Sequence, residues 1–71
     1  MKLLLTKLRE DQNRSKANLA RKSKNDQALI SKVESGRMKP YPKQLERIAD
    51  ALGQPRDEAH LLMQEVGADE N

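Results

Sequence analysis

Leu45, Ile48, Ala49 and Leu52 fall at i, i+3, i+4 and i+7 of one uninterrupted segment, and this spacing constrains the fold more than any other feature of the 71-residue chain. On a helix that advances about 100° per residue, it gathers four apolar side chains into one stripe that needs a covering partner. The same period recurs along the chain, and strand-like alternation never lasts more than a few residues. An all-α fold is expected. Its core has to be aliphatic, because the chain has no Phe, Trp or Cys and Tyr41 is its only aromatic residue. A domain this small buries only about 60% of the surface its unfolded chain exposes. The stability to be expected is therefore modest, on the order of 3–5 kcal/mol.

Read in order, the chain punctuates into five helices. The first is expected over about Lys2 to Gln12, with Leu5 and Leu8 three apart, and Asn13, which tolerates the left-handed conformation, ends it. Ser15 is a good N-cap for a second helix over Lys16 to Lys22 with Leu19 and Ala20 inward. Asp26 offers the next cap, its carboxylate favourable at the positive end of the helix dipole, for a helix to about Glu34 with Ile30 and Val33 inward. Ser35 and Gly36 stop it, and Arg37 to Pro40 form a basic loop. Pro42 suits the first position of the fourth helix, where its missing N–H has no intrahelical partner anyway, and Gly53 suits the end. A fifth α-helix is expected from about Arg56 to Val66, with Ala59, Leu62, Met63 and Val66 on one face and Gly67 closing it. Residues 1–67 then make one domain, and 68–71 a frayed tail.

Charge divides the chain unevenly. Met1 to Arg56 carries 14 Lys and Arg against six Asp and Glu, a balance of +8, and Asp57 to Asn71 carries five acidic residues and no Lys or Arg, a balance of −5. A basic body is the electrostatic footprint of a polyanion binder, although a solvated Lys-rich surface would look the same. Other classes find little support. With no Cys there is neither a disulfide nor a thiolate ligand, which suits a reducing cytoplasm. Leu3 to Leu5 is far too short for an export signal, which needs roughly 7–15 apolar residues, and no stretch approaches the roughly 20 of a membrane span. There is no glycine-rich phosphate loop and no HExxH, and His60, the only histidine, falls on an exposed flank. Neither an enzyme nor a cofactor is expected, and the length leaves no room for a small-molecule effector domain.

Two short helices joined by a three- or four-residue turn, the second entered through a capping residue, make a helix-turn-helix. The stretch from Leu19 to Gly36, LARKSKNDQALISKVESG, and its continuation RMKPYPKQLERIADALG closely resemble the Cro and phage-repressor class of helix-turn-helix domains, the XRE family. The resemblance runs from about Leu5 to Leu62. Its most specific part joins Leu19-Ala20, Ile30 to Gly36, Pro40, and Leu45 through Ala51-Leu52-Gly53 at the family spacing. It implies a compact five-helix, lambda-repressor-like bundle that binds double-stranded DNA, regulates transcription and acts as a homodimer.

The resemblance also assigns residues. Gln27, Ala28 and Lys32 fall at base edges, with Leu29 and Ser31 beside them. Gln27 suits a bidentate pair with adenine, and the Ala28 methyl a thymine methyl. Phosphate contacts fall on Ser15 and Lys16 before the recognition helix and on Ser35, Arg37 and Lys39 after it, with Arg14, Lys24 and Lys43 candidates for the rim. Arg9 and Glu34 take the positions of a structural salt bridge. Self-association is expected through the fifth helix, with Leu61, Leu62 and Val66 in the interface. The chain departs from the family at the turn, where Lys24 and Asn25 replace Gly and an apolar residue, and at Arg14, where the family prefers an aliphatic one. Either the turn is reshaped or Asn25 itself takes the left-handed position. A protein-interaction module, an antitoxin or accessory subunit on the same fold, is the alternative, but it leaves Gln27, Lys32 and the basic rim without a role.

Overall fold

Four helices end in the same way, and that repeated ending sets the path of the chain. The computed structural model describes residues 2–66, with α1 Leu4–Asp11, α2 Lys16–Ser23, α3 Gln27–Glu34, α4 Pro42–Leu52 and a 3₁₀ helix Arg56–Met63. After each α-helix one residue adopts the left-handed conformation: Asn13 (φ 57°), Lys24 (φ 59°), Gly36 (φ 80°) and Gly53 (φ 79°). The next residue's N–H then reaches back to a carbonyl in the last turn, Arg14 to Arg9 at 3.0 Å, Asn25 to Ala20 at 2.8 Å, Arg37 to Lys32 at 2.9 Å and Gln54 to Ala49 at 2.8 Å. This double-bonded Schellman ending satisfies carbonyls that a helix terminus otherwise leaves unpaired.

Lys24, not Asn25, therefore takes the left-handed turn position. The half-buried Asn25 follows it, its amide donating to Ser23 Oγ at 3.2 Å, and that buried hydroxyl donates to Leu19 O at 2.7 Å. The inner side of the turn is filled by this polar pair, where the resemblance led one to expect an aliphatic side chain. A left-handed residue with a Cβ costs about 1–2 kcal/mol, against about 0.5–1 kcal/mol for the extra freedom glycine gives the unfolded chain. Lys24→Gly is accordingly expected to stabilise the fold by roughly 0.5–1 kcal/mol. An unchanged or lower urea midpoint would contradict that assignment of strain.

Helix starts follow the sequence closely. Ser15 Oγ accepts from the Asn18 N–H at 3.0 Å, and the Tyr41 N–H donates to Gln44 Oε1 at 2.9 Å just ahead of Pro42. Asp26 occupies the N-cap of α3, but its side chain makes no capping bond, so it contributes only its charge near the helix dipole. The core joins the apolar faces of all five helices, with Leu5, Leu19, Ile30, Val33, Ile48 and Leu62 fully buried. The α4 stripe lies at its centre, packed on α2 on one side and on the 3₁₀ helix on the other.

The fifth helix differs from expectation in both type and length. It is 3₁₀ and stops at Met63. Three residues per turn put Ala59 and Leu62 in one row, and these are its two buried residues. The chain then straightens, because the Leu4 N–H donates to Gln64 O and the Val66 N–H to Lys2 O, both at 2.7 Å, around an antiparallel bridge between Leu3 and Glu65. An α-helix continued to Val66 would forfeit both bonds. Leu62, 1% exposed, closes the core and is unavailable to a second copy, while Leu61 and Val66 are half-buried. The expected interface at Leu61, Leu62 and Val66 thus loses its central member. Gly67 and the tail lie outside the described residues, among which no helix is long and apolar enough to cross a membrane.

Candidate nucleic-acid interface

Helix α3 splits into two arcs. At about 100° per residue, Leu29, Val33, Ile30 and Glu34 fall on one side and Gln27, Ser31, Ala28 and Lys32 on the other. Burial follows this division: Ile30 and Val33 are buried, Leu29 and Glu34 half-buried, and Gln27, Ala28 and Lys32 exposed. Leu29 packs against the core cluster, which corrects its placement at the base edges. The wheel already carried that signal, since Leu29 lies four residues before Val33. Ser31 is half-buried at the margin of the outer arc.

What holds this arc in place is a charged pair beneath it. Arg9 Nε donates to Glu34 Oε2 at 2.7 Å and Arg9 Nη2 to Glu34 Oε1 at 3.1 Å, a two-pronged match of guanidinium to carboxylate. Arg9 Nη1 also donates to the Arg14 carbonyl at 2.8 Å. The side chains of Arg9 and Glu34 are only 11% and 5% exposed. One side chain of α1 thus fixes both the end of α3 and the link into α2.

Arg14 is not part of a solvated rim. Its Nε donates to Gln12 Oε1 at 2.8 Å and its Nη1 to Asn18 Oδ1 at 2.9 Å, while Gln12 Nε2 donates to Leu52 O at 2.9 Å. The network ties the end of α1 to α2 and to the last carbonyls of α4. An aliphatic residue at position 14, as the resemblance led one to expect, could not make it. Sequence reasoning missed the network because its partners lie up to 40 residues apart.

The remaining cations frame the arc. A cleft of about 350 Å³ between α1, the start of α2 and the end of α3 is lined by Lys16, Ser31, Ser35 and the Arg9–Glu34 pair. Thr6 also lines it, and its buried hydroxyl has no partner among the described residues. Ser15 Oγ accepts the capping bond, leaving its own proton to donate outward, beside the unpaired first amides of α2. Ser35 Oγ already donates to Lys32 O at 3.1 Å, so it would have to turn to meet a phosphate. Arg37, Lys39 and Lys43 are exposed along the loop and into α4. In the same cleft Lys2 donates to Glu10 at 2.8 Å and holds that carboxyl below its usual range; between α4 and the 3₁₀ helix, Asp50 raises the Arg56 guanidinium through the same kind of bond.

The sequence model of one family, described as a helix-turn-helix domain, matches residues 3–62. No curated protein and no solved structure gives a match.

Proposed function

The chain belongs to the helix-turn-helix domain family, and on that premise we propose that it is a transcriptional regulator of the Cro and phage-repressor (XRE) type that binds operator DNA sequence-specifically as a homodimer. The supporting observation is the outer arc of α3, whose Gln27, Ala28 and Lys32 are exposed on a helix fastened from below by Arg9 and Glu34. A helix of this width fits the major groove of B-DNA, which is about 12 Å across. Gln27, in the first turn, reads adenine through N6 and N7; Ala28 touches a thymine methyl; Lys32 reaches a guanine edge, and Ser31 lies beside it. Ser15, Lys16 and the first amides of α2 hold one phosphate, and Arg37 and Lys39, with Ser35 once its hydroxyl turns, hold those across the groove. One recognition helix reads few base pairs, so two copies on a two-fold site supply the specificity. The setting is cytoplasmic.

Selection from random duplexes by mobility shift at two salt concentrations tests this reading. A recurrent, two-fold symmetric sequence is expected, and enrichment of no sequence at all would reject it. The phosphate role of Lys16 has a separate signature. Each neutralised phosphate contributes about −0.9 to the slope of log K against log salt. Lys16→Ala should flatten that slope by roughly one unit and weaken all duplexes alike. A loss confined to certain sequences, with the slope unchanged, would contradict the role.

A further inference from the structure

We propose that Tyr41 and the groove beside it are the self-association surface: in the two-fold homodimer, Tyr41 of each copy seats in the groove of the other. The inference rests on the dimeric reading above and replaces the Leu61 face with a different one. Among the described residues Tyr41 is the one large apolar side chain that stands exposed, at 71%. Exposure alone decides nothing, but the backbone that carries Tyr41 is also held. Pro40 and Pro42 fix the backbone on either side, and its N–H is tied to Gln44 Oε1 at 2.9 Å. With the backbone already fixed, docking orders only the ring's own two torsions, and tyrosine is among the residues that most often anchor interfaces.

A receptor lies on the same face. Between the loop and the 3₁₀ helix is a groove of about 360 Å³ with Pro40, Pro42, Leu45 and Ala59 supplying its apolar lining and Glu46 and Asp57 among its charged residues. The Tyr41 ring does not line its own groove. A two-fold contact requires a patch complementary to itself, and a knob next to a hole satisfies that requirement.

Charge selects the occupant. Tyr41 lies two residues before the exposed Lys43, and the groove carries the carboxylates of Glu46 and Asp57. Arg56 also lines the groove, but its guanidinium is occupied by Asp50 at 2.8 Å. A ring accompanied by Lys43 entering a carboxylate-bearing groove is favourable in both directions of the two-fold pair, whereas a DNA phosphate would be repelled there. Tyrosines bury about 150–250 Å² each, well short of the roughly 1,600 Å² of a standard interface, so the pair is weak alone and reinforced on DNA.

The test is sedimentation equilibrium without DNA, together with binding to duplexes carrying one half-site or two inverted half-sites. Tyr41→Ala is expected to raise the dimer dissociation constant by about tenfold or more and to abolish cooperativity on the double site, leaving half-site affinity and the helical spectrum unchanged. Lys43→Glu and Asp57→Lys should each weaken the dimer, and the two together restore it. Leu61→Ala, on another side of the 3₁₀ helix, should leave it intact. An unmodified protein that is monomeric at all concentrations and non-cooperative on the double site overturns the proposal. So does loss of half-site affinity in Tyr41→Ala with the dimer unchanged, which would make Tyr41 a DNA contact, or loss of the dimer in Leu61→Ala alone. Failure to bind any duplex would instead refute the DNA-binding function, and sedimentation would still decide the contact.

Discussion

Glu34→Ala is expected to leave most of the protein unfolded at physiological temperature. Removing the carboxylate leaves the Arg9 guanidinium, 11% exposed, with only the Arg14 carbonyl at 2.8 Å and the more distant, exposed Glu10 carboxylate at 3.8 Å. Breaking a buried pair by deleting one partner costs about 3–5 kcal/mol. A domain of this length with an aliphatic core has roughly that much stability in total. Glu34→Gln should lie between, because an amide oxygen still accepts one of the two bonds from Arg9. Arg9→Met with Glu34→Leu should recover most of the loss, since replacing both charges by apolar groups of similar volume removes the desolvation cost along with the attraction. Urea unfolding followed by circular dichroism checks the series. A cost below about 1 kcal/mol for Glu34→Ala is what an ordinary surface pair would give, and it would mean that the bridge does not hold α3 in place.

Gln27→Ala is expected to relax the preference at one base pair per half-site by about 1–3 kcal/mol, the worth of a good bidentate contact. The exposed side chain makes no hydrogen bond within the described residues, so folding should be untouched. The measurement is repeated selection with the variant. Identical consensus sites from both proteins would remove Gln27 from the reading head, and a uniform loss across all sequences would make it a backbone contact. The comparison with Lys16→Ala separates the two kinds of contact, one changing the sequence preference and the other the salt slope.

The candidate site was legible to different depths. Gln27, Ala28 and Lys32 follow from the apolar period of α3, because whatever Ile30 and Val33 bury, the opposite arc must expose. The same wheel places Leu29 with Val33, so its assignment to the base edges set position along the family pattern above periodicity. Ser35 shows another limit. Its hydroxyl bonds to the Lys32 carbonyl, a local choice that competes with any outward contact and that residue type alone does not settle.

The sequence by itself determined the features whose causes act within one or two turns of chain. Ser15 and Pro42 start helices, Asn13, Gly36 and Gly53 end them, and the stripe from Leu45 to Leu52 faces inward, because steric limits on φ and short hydrogen bonds are written in neighbouring residues. Tertiary structure decided what depends on residues far apart. The Leu3–Glu65 bridge holds the end of the chain extended, which stops the last helix at Met63. The Arg14–Gln12–Leu52 network engages an apparent rim cation in tying α1 to α4. Burial is likewise a property of the assembled fold. Leu62 is drawn into the core while Tyr41, the single aromatic of an aromatic-poor chain, is left outside, since the α4 stripe is covered by α2 and the 3₁₀ helix and neither reaches over the ring.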